Sequence, residues 1–114
     1  VERTLSSLDL RIREDGDAIV VACSGRLVAG VTDVLYSEVK ALILRDRHVV
    51  LDLTDLAQMD SMGLGTIVRL YASARSAGCN LELINLSARV RELFGITGLF
   101  AVFGECGEHR TRMP

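Results

Sequence analysis

The stretch that leaves this chain least freedom is His48-Val49-Val50-Leu51-Asp52-Leu53 together with the turn after it. A run of β-branched and leucine residues with so little polar alternation has to be covered on both faces, as an inner strand of a largely parallel sheet is. The turn Met59-Asp60-Ser61-Met62-Gly63-Leu64-Gly65 then hands the strand to a helix. Helical spacing predicts an inward stripe of Leu64, Ile67, Val68, Tyr71, Ala72 and Arg75. Gly63 and Gly65 are poor helix formers, so in a first turn they point to close approach by another backbone or by a ligand. Ser61 falls where free amide groups and the positive end of the helix dipole converge. The simpler alternative is that Asp60 or Ser61 only caps the helix.

A length of 114 residues is one domain's worth, and a 49% hydrophobic fraction with a single proline fits a chain that buries a core. The formal net charge of −2 supplies no basic footprint for nucleic acid or an acidic membrane surface. Cys23, Cys79 and Cys106 are odd in number and not spaced for a metal, which reads as reduced thiols and a cytoplasmic location. Cys23 and Cys79 lie in apolar runs, where a buried thiol acts as a small hydrophobe. His48 and His109 have no ligand-spaced companions, so neither a metal nor another cofactor is expected. No segment has the unbroken apolar length of a membrane span, and the first residues lack a signal-peptide layout.

In chain order, residues 1–7 form a partly ordered lead-in and Leu8 to Arg13 alternates like an edge strand with one wet face. Asp15-Gly16-Asp17 signals a hairpin into a central strand, Ala18 to Cys23. Ser24 to Gly30 is expected to break that strand and lead to a helix capped by Thr32 or Asp33, with Leu35, Val39, Leu42 and Ile43 inward. The Ser61 helix should end at Gly78, followed by a strand over Cys79–Asn85. Ser87 is placed to cap a short helix through Val90, Leu93 and Phe94. Gly95 to Gly98 reads as a turn, Leu99 to Phe103 as a last strand, and residues 104–114 as a flexible tail. The expected architecture is therefore α/β: one domain over residues 8–103, with a mixed, mostly parallel sheet, an N-terminal antiparallel edge strand and crossover helices. Strand ends that lead into helices collect functional loops in such folds, and Ser61 lies at one.

Leu51-Asp52-Leu53, Met59-Asp60-Ser61-x-Gly63-Leu64-Gly65, Gly78, Arg91-Glu92-Leu93-Phe94 and Thr97-Gly98-Leu99-Phe100 occur in this order, with a weaker match at Ser24-Gly25-x-Leu27. This series resembles the STAS domain, and most closely the small bacterial anti-sigma factor antagonists. The resemblance implies that Ser61 is phosphorylated by a partner serine kinase that is also the anti-sigma factor. The unmodified antagonist binds that partner and frees a sigma factor, the modified form lets go, and a serine phosphatase restores it. Asp60, Met62, Gly63, Gly65 and Arg26 would form the surroundings of the phosphoacceptor. Most such antagonists have Ser or Thr where this chain has Met62, and often an acidic Gly-Glu-Leu-Asp where it has Gly25-Arg26-Leu27-Val28. Arg26 and Val28 remove two negative charges from that pattern, which implies either an altered grip by the kinase or loss of the phosphorylation, unless Arg26 itself pairs with the phosphate.

Met62, Thr66, Arg69 and Ser73 share one side of the Ser61 helix by spacing and are read as a partner-contact strip, or else as an ordinary solvated face. A second functional reading keeps the fold without chemistry at Ser61, as a non-catalytic STAS subunit of a lipid-transport or transporter complex. An enzyme is not expected. Ser61 is not in a G-x-S-x-G elbow, no P-loop pattern occurs, and Asp52 and Asp55 suit loop solvation and capping better than acid–base work. Oligomeric state is left open by the sequence.

Overall fold

A computed structural model of the chain describes residues 8–97 and 110–112. Its elements are β1 (Leu8–Asp15), β2 (Ala18–Leu27), α1 (Thr32–Arg45), β3 (His48–Met59), α2 (Ser61–Ala77), β4 (Asn80–Ile84), α3 (Ala88–Thr97) and β5 (Arg110–Arg112). The strands form one sheet in the order β1-β2-β3-β4-β5. β1 is antiparallel to β2, β2, β3 and β4 are mutually parallel neighbours, and β5 returns antiparallel to β4. The fold class is the one expected, a mostly parallel sheet with an antiparallel N-terminal edge.

Side chains alternate across the inner strands. Ile19, Val21 and Cys23 of β2, Val49, Leu51 and Leu53 of β3, and Leu81 and Leu83 of β4 join one core with Leu35, Val39, Leu42 and Ile43 of α1 and Leu64, Ile67 and Leu70 of α2. Val20, Val50 and Glu82 alternate with these on the other side of the sheet and are buried as well, so β3 is covered on both faces as its composition demanded. Burial pushes the Cys23 thiol up to about 12, with the Asp52 carboxylate adding to the effect. Cys79 is buried too, as expected of a thiol serving as a small hydrophobe.

Several boundaries differ from the sequence reading. β2 does not break at Ser24 but runs to Leu27, because register shifts after Ala22 and after Gly25, the latter at φ 95°, let the strand bend while still paired to β3. β3 likewise continues to Met59 through polar residues, held by pairs such as Gly25 with Leu56 and Leu27 with Met59. α1 starts at Thr32, but its cap is Val31 without a side-chain hydrogen bond, rather than Thr32 or Asp33. Gly78 closes α2 in the left-handed region at φ 73°, as expected. Ser87 Oγ accepts the Val90 N–H at 3.2 Å, the cap anticipated for α3.

The segment Gly95–Thr97 is the end of α3 rather than a turn, since apolar positions and good helix formers before it carry the helix on. Arg110–Arg112, within the stretch read as a tail, is instead the β5 edge strand. A three-residue segment of polar residues has no apolar alternation by which to recognise it. The last β-strand is therefore antiparallel to its neighbour. The side chains of Leu93 and Phe94, the Leu99–Phe103 strand, Cys106 and His109 lie outside the described residues. Among the described residues no helix is long and apolar enough to cross a membrane.

The buried carboxylate of Glu82, 0% exposed, meets His48 Nε2 at 2.7 Å across the β3–β4 pair. Replacing His48 with Ala removes a partner from a fully buried acid. The expected loss is about 1–3 kcal/mol of unfolding free energy, read from urea melts, with His48→Gln recovering part of it.

Candidate functional site

The end of β3, the start of α2 and the loop leaving β2 are tied together by one carboxylate. Asp60 has extended backbone (φ −107°, ψ −174°) and caps α2. Its Oδ1 accepts the Gly63 N–H at 2.9 Å, and its Oδ2 accepts the Ala29 N–H at 2.9 Å. Its own N–H donates to Leu27 O at 3.3 Å. Of the two capping candidates the structure selects Asp60. The bond from the Ala29 N–H, then that from Gly63, holds its carboxyl below the usual carboxylate range.

Gly63 explains itself by contact. A Cβ built there would lie 2.2 Å from Leu27 O and 2.8 Å from Leu27 Cγ, so the first turn of α2 presses directly on the end of β2. Gly65 differs: nothing lies within 4 Å of where its Cβ would be. It is exposed, one helical turn beyond Ser61 on the same side.

Ser61 is the first residue of α2 and its side chain is exposed. No acidic residue occupies the first turn of the helix itself. The hydroxyl thus stands in solvent at the electropositive end of a 17-residue helix, with the fixed Asp60 carboxylate beside it. Met62 is 57% exposed. Arg26 is exposed and lies beside Gln58 in the β2–β3 register, whereas the flanking pair Leu27 and Met59 is buried in the core. By strand alternation Arg26 projects on the side of the sheet away from α2.

The strip read from spacing does not survive as one open surface. Thr66 is only 3% exposed, and its Oγ1 donates to Met62 O at 3.0 Å. Ser73 is half-buried and accepts from Lys40 Nζ of α1 at 3.4 Å. Arg69 is exposed but stacks its guanidinium 4.2 Å from the Tyr36 ring centre. The Tyr36 hydroxyl is held below its ordinary pKa by hydrogen bonding to Ser73, then to Lys40. The inward stripe is correspondingly rotated. Gly63, Leu64, Thr66, Ile67, Leu70 and Ala74 are buried, Val68 and Tyr71 pack at its margin, and Ala72 and Arg75 are exposed. What α2 opens to solvent beside Ser61 is Met62, Gly65 and Arg69.

Sequence reasoning did not find Ala29, whose backbone N–H has no side-chain signature. Nor did it find Tyr36, whose contact with α2 depends on how two helices pack. Asp52 accepts from the N–H and hydroxyl of Thr54 at 3.0 and 2.5 Å and from Asn85 Nδ2 at 3.2 Å. Burial raises its pKa, but the Thr54 and Asn85 bonds outweigh it, and the carboxyl ends below its ordinary value. It ties the interior of β3 to the residue that follows β4, which is a structural task. Among the described residues no three His, Cys, Asp or Glu side chains gather as they would around a metal.

Residues 9–112 match the family model described as the STAS domain. Over 93 residues the chain is 30% identical to the anti-sigma-B factor antagonist of Bacillus subtilis, covering 82% of this chain and 85% of that protein. An anti-sigma factor antagonist from Mycobacterium paratuberculosis has a similar fold, with a TM-score of 0.77 at 19% identity over 86% of this chain and 84% of that one. A murine anion transporter of solute carrier family 26 contains the fold too, with a TM-score of 0.67 at 20% identity. There the match covers 78% of this chain but only 15% of the transporter.

The two glycines predict opposite outcomes. Gly63→Ala must displace Leu27 and should cost about 1–3 kcal/mol, whereas Gly65→Ala enters open space and should gain up to about 1 kcal/mol from helix propensity. Chemical denaturation of both variants checks this. Because the folded-state pKa of Asp60 lies below its unfolded value, its contribution to stability is full above the unfolded value and is lost as pH falls through the folded one. Asp60→Asn should therefore flatten the acid limb of a stability–pH profile.

Proposed function

This chain belongs to the STAS domain family, and from that membership we propose that it works as an anti-sigma factor antagonist switched by phosphorylation of Ser61. It is a regulatory chain rather than an enzyme. The observation that carries the reading is an exposed hydroxyl at the first residue of α2, beside a carboxylate that accepts two backbone N–H groups. The similarity to a named antagonist over most of both chains supports it further. The transporter reading has less behind it, since the match covers a small part of that protein.

The unmodified protein docks an anti-sigma factor of the serine-kinase kind through the open start of α2. Met62 offers a flexible apolar contact, Gly65 lets a partner's backbone come close to Ser61, and Arg69 supplies a positive charge held in place by Tyr36. Phosphorylation of Ser61 adds about −1.5 to −2 charges and three acceptor oxygens. The helix end tolerates the anion in the free protein. In a closed interface the same dianion must be desolvated next to Asp60, which is held ionised by two backbone N–H groups. Strand alternation, which directs Arg26 to the side of the sheet away from α2, argues against its pairing with the phosphate. The added charge favours release and leaves the domain folded. A phosphatase removing the phosphoryl group resets the switch.

With the cognate kinase-type anti-sigma factor, Ser61→Ala should bind as wild type does and stay bound in the presence of ATP. Ser61→Asp should bind roughly 100-fold more weakly, the equivalent of about 3 kcal/mol. Intact-mass measurement after kinase treatment should show one added phosphoryl group on the wild type and none on Ser61→Ala. Equal affinity for all three proteins would remove Ser61 from the switch.

A further inference from the structure

Tyr36 of α1 gathers one cation from each of two neighbouring helices. The Arg69 guanidinium of α2 lies 4.2 Å from its ring centre, and Lys40 Nζ of α1 lies 5.5 Å from it. Lys40 Nζ also donates to the Tyr36 hydroxyl at 3.3 Å and to Ser73 Oγ of α2 at 3.4 Å. All of these partners are neutral. Among the described residues no carboxylate comes within ion-pair distance of Lys40 or Arg69. α2 itself contains no acidic residue. Of the two acids in α1, Glu38 falls by helical spacing on the flank opposite Tyr36, and Asp33 precedes Lys40 by two turns, about 10 Å along the axis. Two like charges are thus held within one Debye length of each other, about 10 Å, with only ring and hydroxyl dipoles to offset their repulsion.

Beside this pair is a place for an apolar group. A groove of about 360 Å³ between the two helices is lined by Lys40, Leu44, Ala72, Ser73, Ser76 and Ala77. Leu44 is 68% exposed. It follows Lys40 by one helical turn, so the groove offers a positive charge and an apolar wall at the spacing of residues i and i+4 on a helix. Nucleic acid has nothing apolar to set against Leu44, and an acidic bilayer gains little from two cations on a chain of net charge −2. A second copy docked through the same groove would bring like charges together. An acidic, partly apolar protein segment satisfies both features.

We propose that this groove is a second docking point for the anti-sigma factor, receiving a segment of it that carries a carboxylate and a large apolar side chain one helical turn apart. The carboxylate sits between Lys40 and Arg69, and the apolar side chain lies against Leu44. The proposal rests on the reading of this chain as an antagonist and names what its partner must present. Arg69 and Ser73 follow Ser61 by eight and twelve residues, about 12 and 18 Å along α2. The groove therefore extends the surface at the start of α2 beyond the reach of a phosphoryl group on Ser61. It strengthens docking without being switched itself.

Titration calorimetry with the cognate kinase-type anti-sigma factor tests this. Lys40→Glu and Arg69→Glu should each raise the dissociation constant at least about tenfold. Lys40→Arg keeps the charge and should stay within about threefold of the wild type. Leu44→Asp, at a position too exposed to matter for folding, should weaken binding at least about fivefold, while Glu38→Lys on the far flank of α1 should change little. Affinity should fall more steeply between about 0.05 and 0.5 M sodium chloride for the wild type than for Lys40→Glu, a difference that a merely structural role for Lys40 would not produce. Unaltered far-UV circular dichroism shows that each variant is folded. Wild-type affinity and salt dependence in Lys40→Glu, Arg69→Glu and Leu44→Asp, alongside weakened binding by Ser61→Asp, overturn the groove and leave the Ser61 switch standing. The reverse pattern supports the groove and removes Ser61 from the switch.

Discussion

The carboxylate of Asp60 is the joint on which this site depends. One oxygen takes a backbone N–H from the helix it caps and the other takes one from the loop leaving β2. The second bond could not form if α2 stood away from β2, and Gly63 is what permits the approach, since any larger residue would run into Leu27. Capping, close packing and loop anchoring thus meet at one residue, with the loop anchor requiring the close packing.

That arrangement also decides what a charge at Ser61 meets. The first turn of α2 is packed against β2 below and open above, so a new anion there encounters the positive helix end, the hydrogen-bonded Asp60 carboxylate and whatever protein is docked. The interior does not need to respond. Leu64, Ile67 and Leu70 hold the helix on the sheet whether or not its tip changes charge. A local electrostatic event can alter docking without altering the fold.

Much of the architecture was legible because apolar periodicity reports burial. The apolar run in β3, the four inward residues of α1, the glycine stop of α2 and the Ser87 cap all appeared where spacing and side-chain chemistry placed them. The errors share a cause. The α2 stripe was misplaced because Thr66 looks polar in sequence yet satisfies its hydroxyl on the preceding turn, while Ala72 looks apolar and is exposed. The extensions of β2 and β3 rest on pairing with each other rather than on their own composition. β5 shows this most clearly, since three polar residues become a strand only because the edge of β4 is there to receive them.

Residue order alone determined that a covered strand would pass into a helix through Asp60 and Ser61, because a run of apolar β-formers cannot remain wet and a short acidic side chain suits a helix start. It also determined that Gly63 needed a reason. Only the tertiary structure decided that the reason was Leu27, that Asp60 would also hold Ala29, and that Arg26 would pair beside Gln58. Those outcomes depend on backbone groups and strand register brought together from distant parts of the chain, and a backbone N–H carries no mark in the sequence of the partner it will find.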